Sequence, residues 1–241
     1  MAERKRLFPA PRLILAALVA GALAGAVAVY VKQSRLGNDA QEQIAARPGG
    51  GASAADDAAC AARAESAKAV AAAATGQVAA LMAATPPQSV KGLAFDGPDG
   101  KPTTIAELTG QNGAGKNGAG RTLLVNLWAT WCAPCRAEMP ALDTLQREMG
   151  SDRFEVVAVN VDTGSDEKPK KFLKEIGIAS LGFYRDASME LFNEAKRRGL
   201  ALGLPVTLLI DGEGCLIGHM NGPAEWASPD AKKLVEAALG G

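Results

Sequence analysis

The sequence carries a single histidine, His219, in 241 residues. A metal centre built from several imidazoles is therefore excluded. It also lacks net charge, with 26 Lys and Arg against 26 Asp and Glu. A nucleic-acid binder needs a basic face or stripe, and this balance provides none, so no nucleic-acid partner is expected. Internal repeats are absent. Cysteine is scarce: a close pair, Cys132 and Cys135, and two distant singles, Cys60 and Cys215. Apolar residues make up 48% of the chain, enough for a core. Many of them fall in one N-terminal run or in an Ala-rich stretch, so the globular part is smaller than the chain.

The N-terminal run extends from Leu13 to Val31 without a charge, between Arg12 and Lys32. About 20 such residues at 1.5 Å each cross a bilayer. Arg4, Lys5, Arg6 and Arg12 precede it, against the one acid Glu3. The positive-inside rule then keeps the N-terminus in the cytoplasm and exports the rest. Ala26-Val27-Ala28 also fits the small-x-small site of a cleaved signal. Apolar cores of signals run about 7–15 residues, so the length favours an uncleaved anchor. On either reading the remaining chain lies where disulfides persist.

Residues 32–55 are small and polar and read as a linker. Asp56 or Asp57 is expected to cap an Ala-rich helix running to about Ala84, ended by Thr85-Pro86-Pro87. The expected division is 1–37 for tail and anchor (span 13–31), 38–89 for linker and Ala-rich helix, and 90–241 for the main domain. Within the last, Leu93–Phe95 and Thr103–Ile105 flank Gly97-Pro98-Asp99-Gly100, a hairpin signal. Strands are expected at Thr122–Trp128, Phe154–Val161, Leu181–Tyr184, Val206–Ile210 and Gly214–His219. Helices are expected at Cys132–Met149, Lys168–Ile176, Met189–Arg197 and Pro229–Leu239. Strands alternating with helices argue for an α/β fold with some parallel pairing. Gly110, Gly115 and Lys116 match the spacing of a phosphate-binding loop, but Asn117 stands where a hydroxyl is required and a strand follows instead of a helix.

The chemistry lies in Cys132-Ala133-Pro134-Cys135. A dithiol exchanger needs one accessible thiolate and a second thiol near enough to resolve the mixed disulfide. Two intervening residues at a helix start supply that spacing, and the helix N-terminus favours the thiolate. Cys132 is expected to attack and Cys135, one turn in, to resolve. A zinc site needs about four ligands, and the remaining cysteines are lone and distant. No metal and no bound cofactor is therefore expected. Trp131 directly precedes Cys132; a core position is possible for it, but this placement favours an exposed substrate-contact ring.

Trp128-Ala129-Thr130-Trp131-Cys132-Ala133-Pro134-Cys135-Arg136-Ala137-Glu138-Met139-Pro140 resembles the active-site segment of membrane-anchored bacterial thioredoxin-like proteins, the TlpA, ResA and CcmG groups. Gly203-Leu204-Pro205-Val206-Thr207 resembles their cis-proline loop. The resemblance covers about residues 90–240 and is nearest the TlpA group, the pair Cys60 and Cys215 being part of the likeness. It implies a thioredoxin-like fold, a central mixed β-sheet flanked by helices, behind the transmembrane helix and the Ala-rich extension. It implies a single-pass protein of the bacterial cytoplasmic membrane with a periplasmic catalytic domain. Substrate contacts would fall on Trp131, Pro134, Leu204 and Pro205. A disulfide between Cys60 and Cys215 would staple the extension to the domain; two free buried thiols are the alternative, which the oxidising compartment disfavours.

Thioredoxin carries a buried Asp where this chain has Asn126. Asn cannot ionise, so Glu138, three residues after Cys135, is the expected proton acceptor for that thiol. A first-turn glutamate serving the helix dipole is the competing reading. Ala133-Pro134 adds no donor to stabilise a reduced form, which points to a reductant. The implied activity is reduction of extracytoplasmic protein disulfides, with electrons from a transmembrane thiol carrier. The clients would be copper-ligand cysteines in cytochrome oxidase biogenesis or haem-site cysteines of apocytochrome c. A Sco-type copper chaperone needs three residues between its cysteines, and only two stand here. A non-catalytic binding module would not need both cysteines and Pro205.

Overall fold

Residues 53–110 and 120–240 are described by a computed structural model, and all fall in one unit, Gly51–Gly241. The expected anchor over 13–31, nearly all of the linker and most of the Gly-rich loop lie outside the described residues. Among those described, no helix is long and apolar enough to cross a membrane.

Ser53 caps α1 (Ala54–Ala61), its hydroxyl accepting the Asp56 N–H at 3.1 Å. A second helix, α2 (Ala64–Ala72), and a 3-10 turn at Gly76–Val78 follow. The strands are β1 (Met82–Ser89), β2 (Ala94–Asp96), β3 (Pro102–Thr104), β4 (Thr122–Trp128), β5 (Phe154–Asn160), β6 (Tyr184–Arg185), β7 (Val206–Ile210) and β8 (Cys215–Asn221). The later helices are α3 (Ile105–Leu108), α4 (Ala133–Met149), α5 (Glu167–Glu175), α6 (Glu190–Arg197) and α7 (Pro229–Ala238). One sheet holds them in the order β1-β8-β7-β4-β5-β6-β2-β3. β4 runs parallel to β5 and β5 to β6, while the other neighbours are antiparallel. This is the expected mixed α/β sheet, and the expected hairpin of residues 93–105 is its β2–β3 edge.

Every residue of β4 is buried, so both sheet faces are covered there. On one face Leu124 and Trp128 pack with Met139, Leu142 and Leu145 of α4, Leu234 and Val235 of α7, and Ala67 and Val70 of α2. On the other, Leu123, Val125 and Leu127 pack with Leu191 and Ala195 of α6 and with Ile105 and Phe95. The segment leaving α5 is fixed from α4: buried Asp143 accepts the N–H groups of Ala179, Ser180 and Leu181 at 3.1, 2.6 and 3.1 Å.

The Ala-rich stretch departs from expectation. The single helix from Asp56 or Asp57 to about Ala84 is two short helices ending at Ala72, and Met82–Ser89 is a strand on β8. Sheet pairing therefore begins before residue 90. Alanine's helix preference is worth tenths of a kcal/mol per residue, and a strand ladder outweighs it. Pro86 and Pro87, which lack an N–H, fall within the register shift between Ala83 and Gln88. Asp56 and Asp57 do not cap either: Asp56 pairs with Lys91 at 2.7 Å, and Asp57 accepts the Ser89 N–H at 2.9 Å. Between the two helices Arg63 reaches Glu213 and, at 3.3 Å, Asp211.

Cys60 on α1 is bonded to Cys215 at the start of β8. The β7–β8 turn sets that position: Gly214 takes φ 76°, and Asp211 Oδ1 accepts the N–H groups of Glu213 and Cys215 at 2.9 and 3.0 Å. The bond spans 155 residues, for which the chain-entropy model gives an upper figure of about 5 kcal/mol. The ion pairs around it are half-exposed and add little. The Cys60→Ser, Cys215→Ser double variant should lose roughly 2–4 kcal/mol in denaturant unfolding. An unchanged midpoint would show that the ion pairs and helix packing hold the extension unaided.

Candidate active site

β4 ends at Trp128, and Ala129-Thr130-Trp131 carry the chain to α4. Thr130 is fixed on the way, its N–H and hydroxyl both donating to Asp162 at 2.9 Å. Cys132 is the N-cap of α4 and is bonded to Cys135. Its sulfur accepts the Cys135 N–H at 3.3 Å, a donor equally placed for a thiolate. Cys132 is 6% exposed and Cys135 fully buried, so the outer sulfur is the reachable one. Pro134 is exposed, and a proline in the first helical turn has no N–H to leave unpaired. Trp131 is 62% exposed and is not a core residue.

β7 brings the second segment. Val206 pairs with Leu127 and Thr207 with Asn126, which puts Leu204 and Pro205 beside the end of β4. The Leu204–Pro205 bond is cis. Leu204 is half-buried and packs on the cluster that contains Cys132 and Cys135; Pro205 is buried and accepts the Gly222 N–H at 2.9 Å. Cys60 and Cys215 lie at the other end of the sheet, because β8 runs antiparallel to β7 and pairs its far residue Asn221 with Val206.

Glu138 is not a first-turn residue. It lies one turn deeper in α4, 4% exposed, with its carboxylate turned into the core. Oε1 accepts from Asn126 Nδ2 at 2.9 Å; Oε2 accepts from the Ala224 N–H at 3.1 Å and from Trp226 Nε1 at 3.0 Å. A solvated helix-dipole role does not fit that placement. Burial pushes its carboxyl up to about 6, against the lowering effect of these three donors. In the sequence Asn126 stands out only as a residue that cannot ionise; in the fold it is a donor. Trp226 carried no signal at all, standing 88 residues away from Glu138. His219 lies in β8 away from this cluster, and burial lowers its pKa. Among the described residues no group of three His, Cys, Asp or Glu is placed to hold a metal ion.

A disulfide on the first turn of a helix, a cis-proline at the head of the adjoining antiparallel strand and a parallel β4–β5 pair linked through that helix define a thioredoxin-like protein. The Redoxin family model matches residues 97–235, more than half of the chain, and the chain belongs to that family. It is 44% identical over 68 residues to the thioredoxin-like protein YneN of Bacillus subtilis, covering 28% of this chain and 38% of that one. It is 34% identical over 104 residues to the thiol:disulfide interchange protein HelX of Rhodobacter capsulatus, covering 43% and 54%. The chain thus spans about half or less of the length of these curated relatives. A solved thioredoxin-family thiol:disulfide interchange protein from Chlorobium tepidum superposes with a TM-score of 0.49 at 28% identity, over 64% of this chain and 97% of that one.

The raised pKa of Glu138 has a consequence for stability. Between about 4.5 and 6 the folded protein binds more protons at this group than the unfolded chain, so stability from it is full below 4.5 and falls as pH rises to 6. A shift of this size corresponds to about 2 kcal/mol. The stability difference between the parent and Glu138→Gln should therefore change by about 2 kcal/mol between pH 4 and 7.5, the parent being relatively the more stable at pH 4. Parallel denaturant curves at the two pH values measure it, and a pH-independent difference would contradict the shift.

Proposed function

We propose that the chain is a thiol–disulfide oxidoreductase working as a reductant of protein disulfides. The observation that carries this is the Cys132–Cys135 bond at the start of α4, with a reachable outer sulfur and a buried carboxylate three residues further along the same helix from the inner one. In the reduced protein, Cys132 as thiolate attacks one sulfur of a client disulfide. The client bond breaks, its other sulfur leaves as a thiolate and takes a proton, and a mixed disulfide joins client to Cys132. Cys135 then gives its proton to Glu138 and attacks the Cys132 sulfur, releasing the client's second thiol. Two electrons have passed to the client, and the Cys132–Cys135 disulfide remains to be reduced by a dithiol donor.

Trp131 and Pro134 form the exposed rim of this site, and Leu204 with Pro205 offers backbone beside it, where an extended client segment can pair. The location we propose is the periplasmic side of the bacterial cytoplasmic membrane, held by residues 13–31 with the N-terminus inside. The basic flank and length of that run support it. The donor would be a thiol carrier within that membrane. By resemblance to the TlpA group, the clients would be copper-ligand cysteines of proteins in cytochrome oxidase biogenesis. Both Cys60 and Cys215 belong to that resemblance.

A Cys135→Ser chain leaves the mixed disulfide unresolved and should accumulate a covalent client complex, whereas Cys132→Ser should accumulate none. Mass spectrometry of the trapped species identifies the client. Copper-site proteins support the reading, and apocytochromes c would redirect it to haem-site cysteines. Redox titration of the Trp fluorescence should place the Cys132–Cys135 couple nearer about −270 mV than about −120 mV. A value at the oxidising end would overturn the direction of electron flow.

A further inference from the structure

The donors around Glu138 are all neutral. They come from three places: the side chain of Asn126 on β4, the backbone of Ala224, and the indole of Trp226, which is itself fully buried. No ion pair of Glu138 appears among the described residues, and β4 and β7 carry no titratable side chain. The titratable groups flanking it are Cys135, Arg136 and Asp143 on its own helix and Glu225 in the loop that carries Trp226. Arg136 lies over the Phe172 ring, Asp143 accepts the backbone of residues 179–181, and Glu225 is exposed. An arginine against a buried carboxylate would lock it as an anion, and an apolar cage without donors would keep it protonated. Three neutral N–H groups do neither.

Asn126 is turned to make this so. Its Nδ2 donates to Glu138 at 2.9 Å and to Thr207 Oγ1 at 3.1 Å, while its Oδ1 is buried with no hydrogen-bond partner among the described residues. The opposite orientation of the amide would set an oxygen against the carboxylate. Leaving a buried acceptor unpaired is costly, and what the amide gains is a donor held on Glu138. Thr207 stands two residues after Pro205, so the strand that presents the cis-proline also fixes the amide.

We propose that Trp226 and Asn126, the latter held by Thr207, are positioning residues that present Glu138 to Cys135 as a proton acceptor able both to take and to return a proton. This rests on the reading of Glu138 as that acceptor. Removing one donor leaves the buried carboxylate less well solvated, so its protonated form gains and the acceptor is lost at a higher pH. Each donor lost should raise the apparent pKa by about one unit.

The test uses the full chain, reduced, with oxidised glutathione as the disulfide. Its oxidation is followed by Trp fluorescence across pH, beside a carboxyl-carbon NMR titration of Glu138. Trp226→Phe keeps a ring and removes the N–H; Asn126→Leu keeps the bulk and removes the amide. Both should move the acid limb of the rate profile, and the Glu138 titration, upward by about one unit, with rates above the limb much less affected. Thr207→Val should move them the same way by less. A merely structural role would lower the melting temperature and depress the rate at every pH with the limb in place, and that result overturns the proposal. Glu138→Gln separates the two readings. If it abolishes the limb while the Trp226 and Asn126 variants leave it in place, only the positioning role fails. If the limb survives Glu138→Gln, the acceptor reading fails and this proposal with it. Should Trp226→Phe not fold, Asn126→Leu decides alone.

Discussion

β4 is hydrogen-bonded along both edges, to β5 in parallel and to β7 in antiparallel register, and both of its faces are buried. A strand so enclosed cannot slip, because a shift of one residue would send every side chain to the opposite face. That fixed strand sets the end of the sheet that carries the Cys132–Cys135 bond. Its last residues lead through the pinned Thr130 to Cys132. Its pairing with β7 sets Pro205 beside the end of β4, and its buried amide, Asn126, donates to the carboxylate of Glu138 on α4. The outer sulfur and the buried acid stand on α4 and the cis-proline at the head of β7, and one strand's register aligns the two segments.

The opposite end of the sheet shows a different solution. Helices α1 and α2 are Ala-rich and bury little apolar area of their own, yet they cover the β1–β8 side of the sheet. They are held by covalent and polar links: the Cys60–Cys215 bond, the Asp57 carboxylate on the Ser89 N–H, Lys91 on Asp56 and Arg63 on Glu213. The two disulfides thus sit at opposite ends of the sheet with unlike surroundings. Cys60 is 1% and Cys215 2% exposed, tucked under a helix; Cys132 is 6% exposed beside the open Trp131 ring. Thiol exchange requires in-line access to a sulfur, and burial leaves the Cys60–Cys215 bond the less reachable of the two.

At the active end, the acid is deep in the protein and its donors are uncharged. Burial disfavours its charge, three hydrogen bonds favour it, and the balance lies near 6, within reach of a working pH. A carboxylate on the solvated first turn of α4 would sit lower, without the burial that raises this one. Depth, more than distance along the chain, is what distinguishes Glu138 from an ordinary helix glutamate.

Much of this was legible in the chain. Continuous apolar runs marked β4, β5 and β7, and Cys132-Ala133-Pro134-Cys135 between a strand and a helix marked the cysteine pair that is bonded at the start of α4, because those signals are local and depend on side-chain period and spacing alone. The Ala-rich stretch was misread for the same reason. Its local preference is helical, while its final state at Met82–Ser89 was decided by an unsatisfied edge of β8 more than 120 residues further along. The position of Glu138 was visible, but not its depth or its partners, since Asn126, Ala224 and Trp226 converge only once β4, α4 and the segment after β8 are packed. By itself the sequence determined which thiols stand close enough along the chain to bond, a matter of residue type and spacing. Only the tertiary structure decided how readily Glu138 gives up or accepts a proton, because that depends on burial and on donors from distant segments.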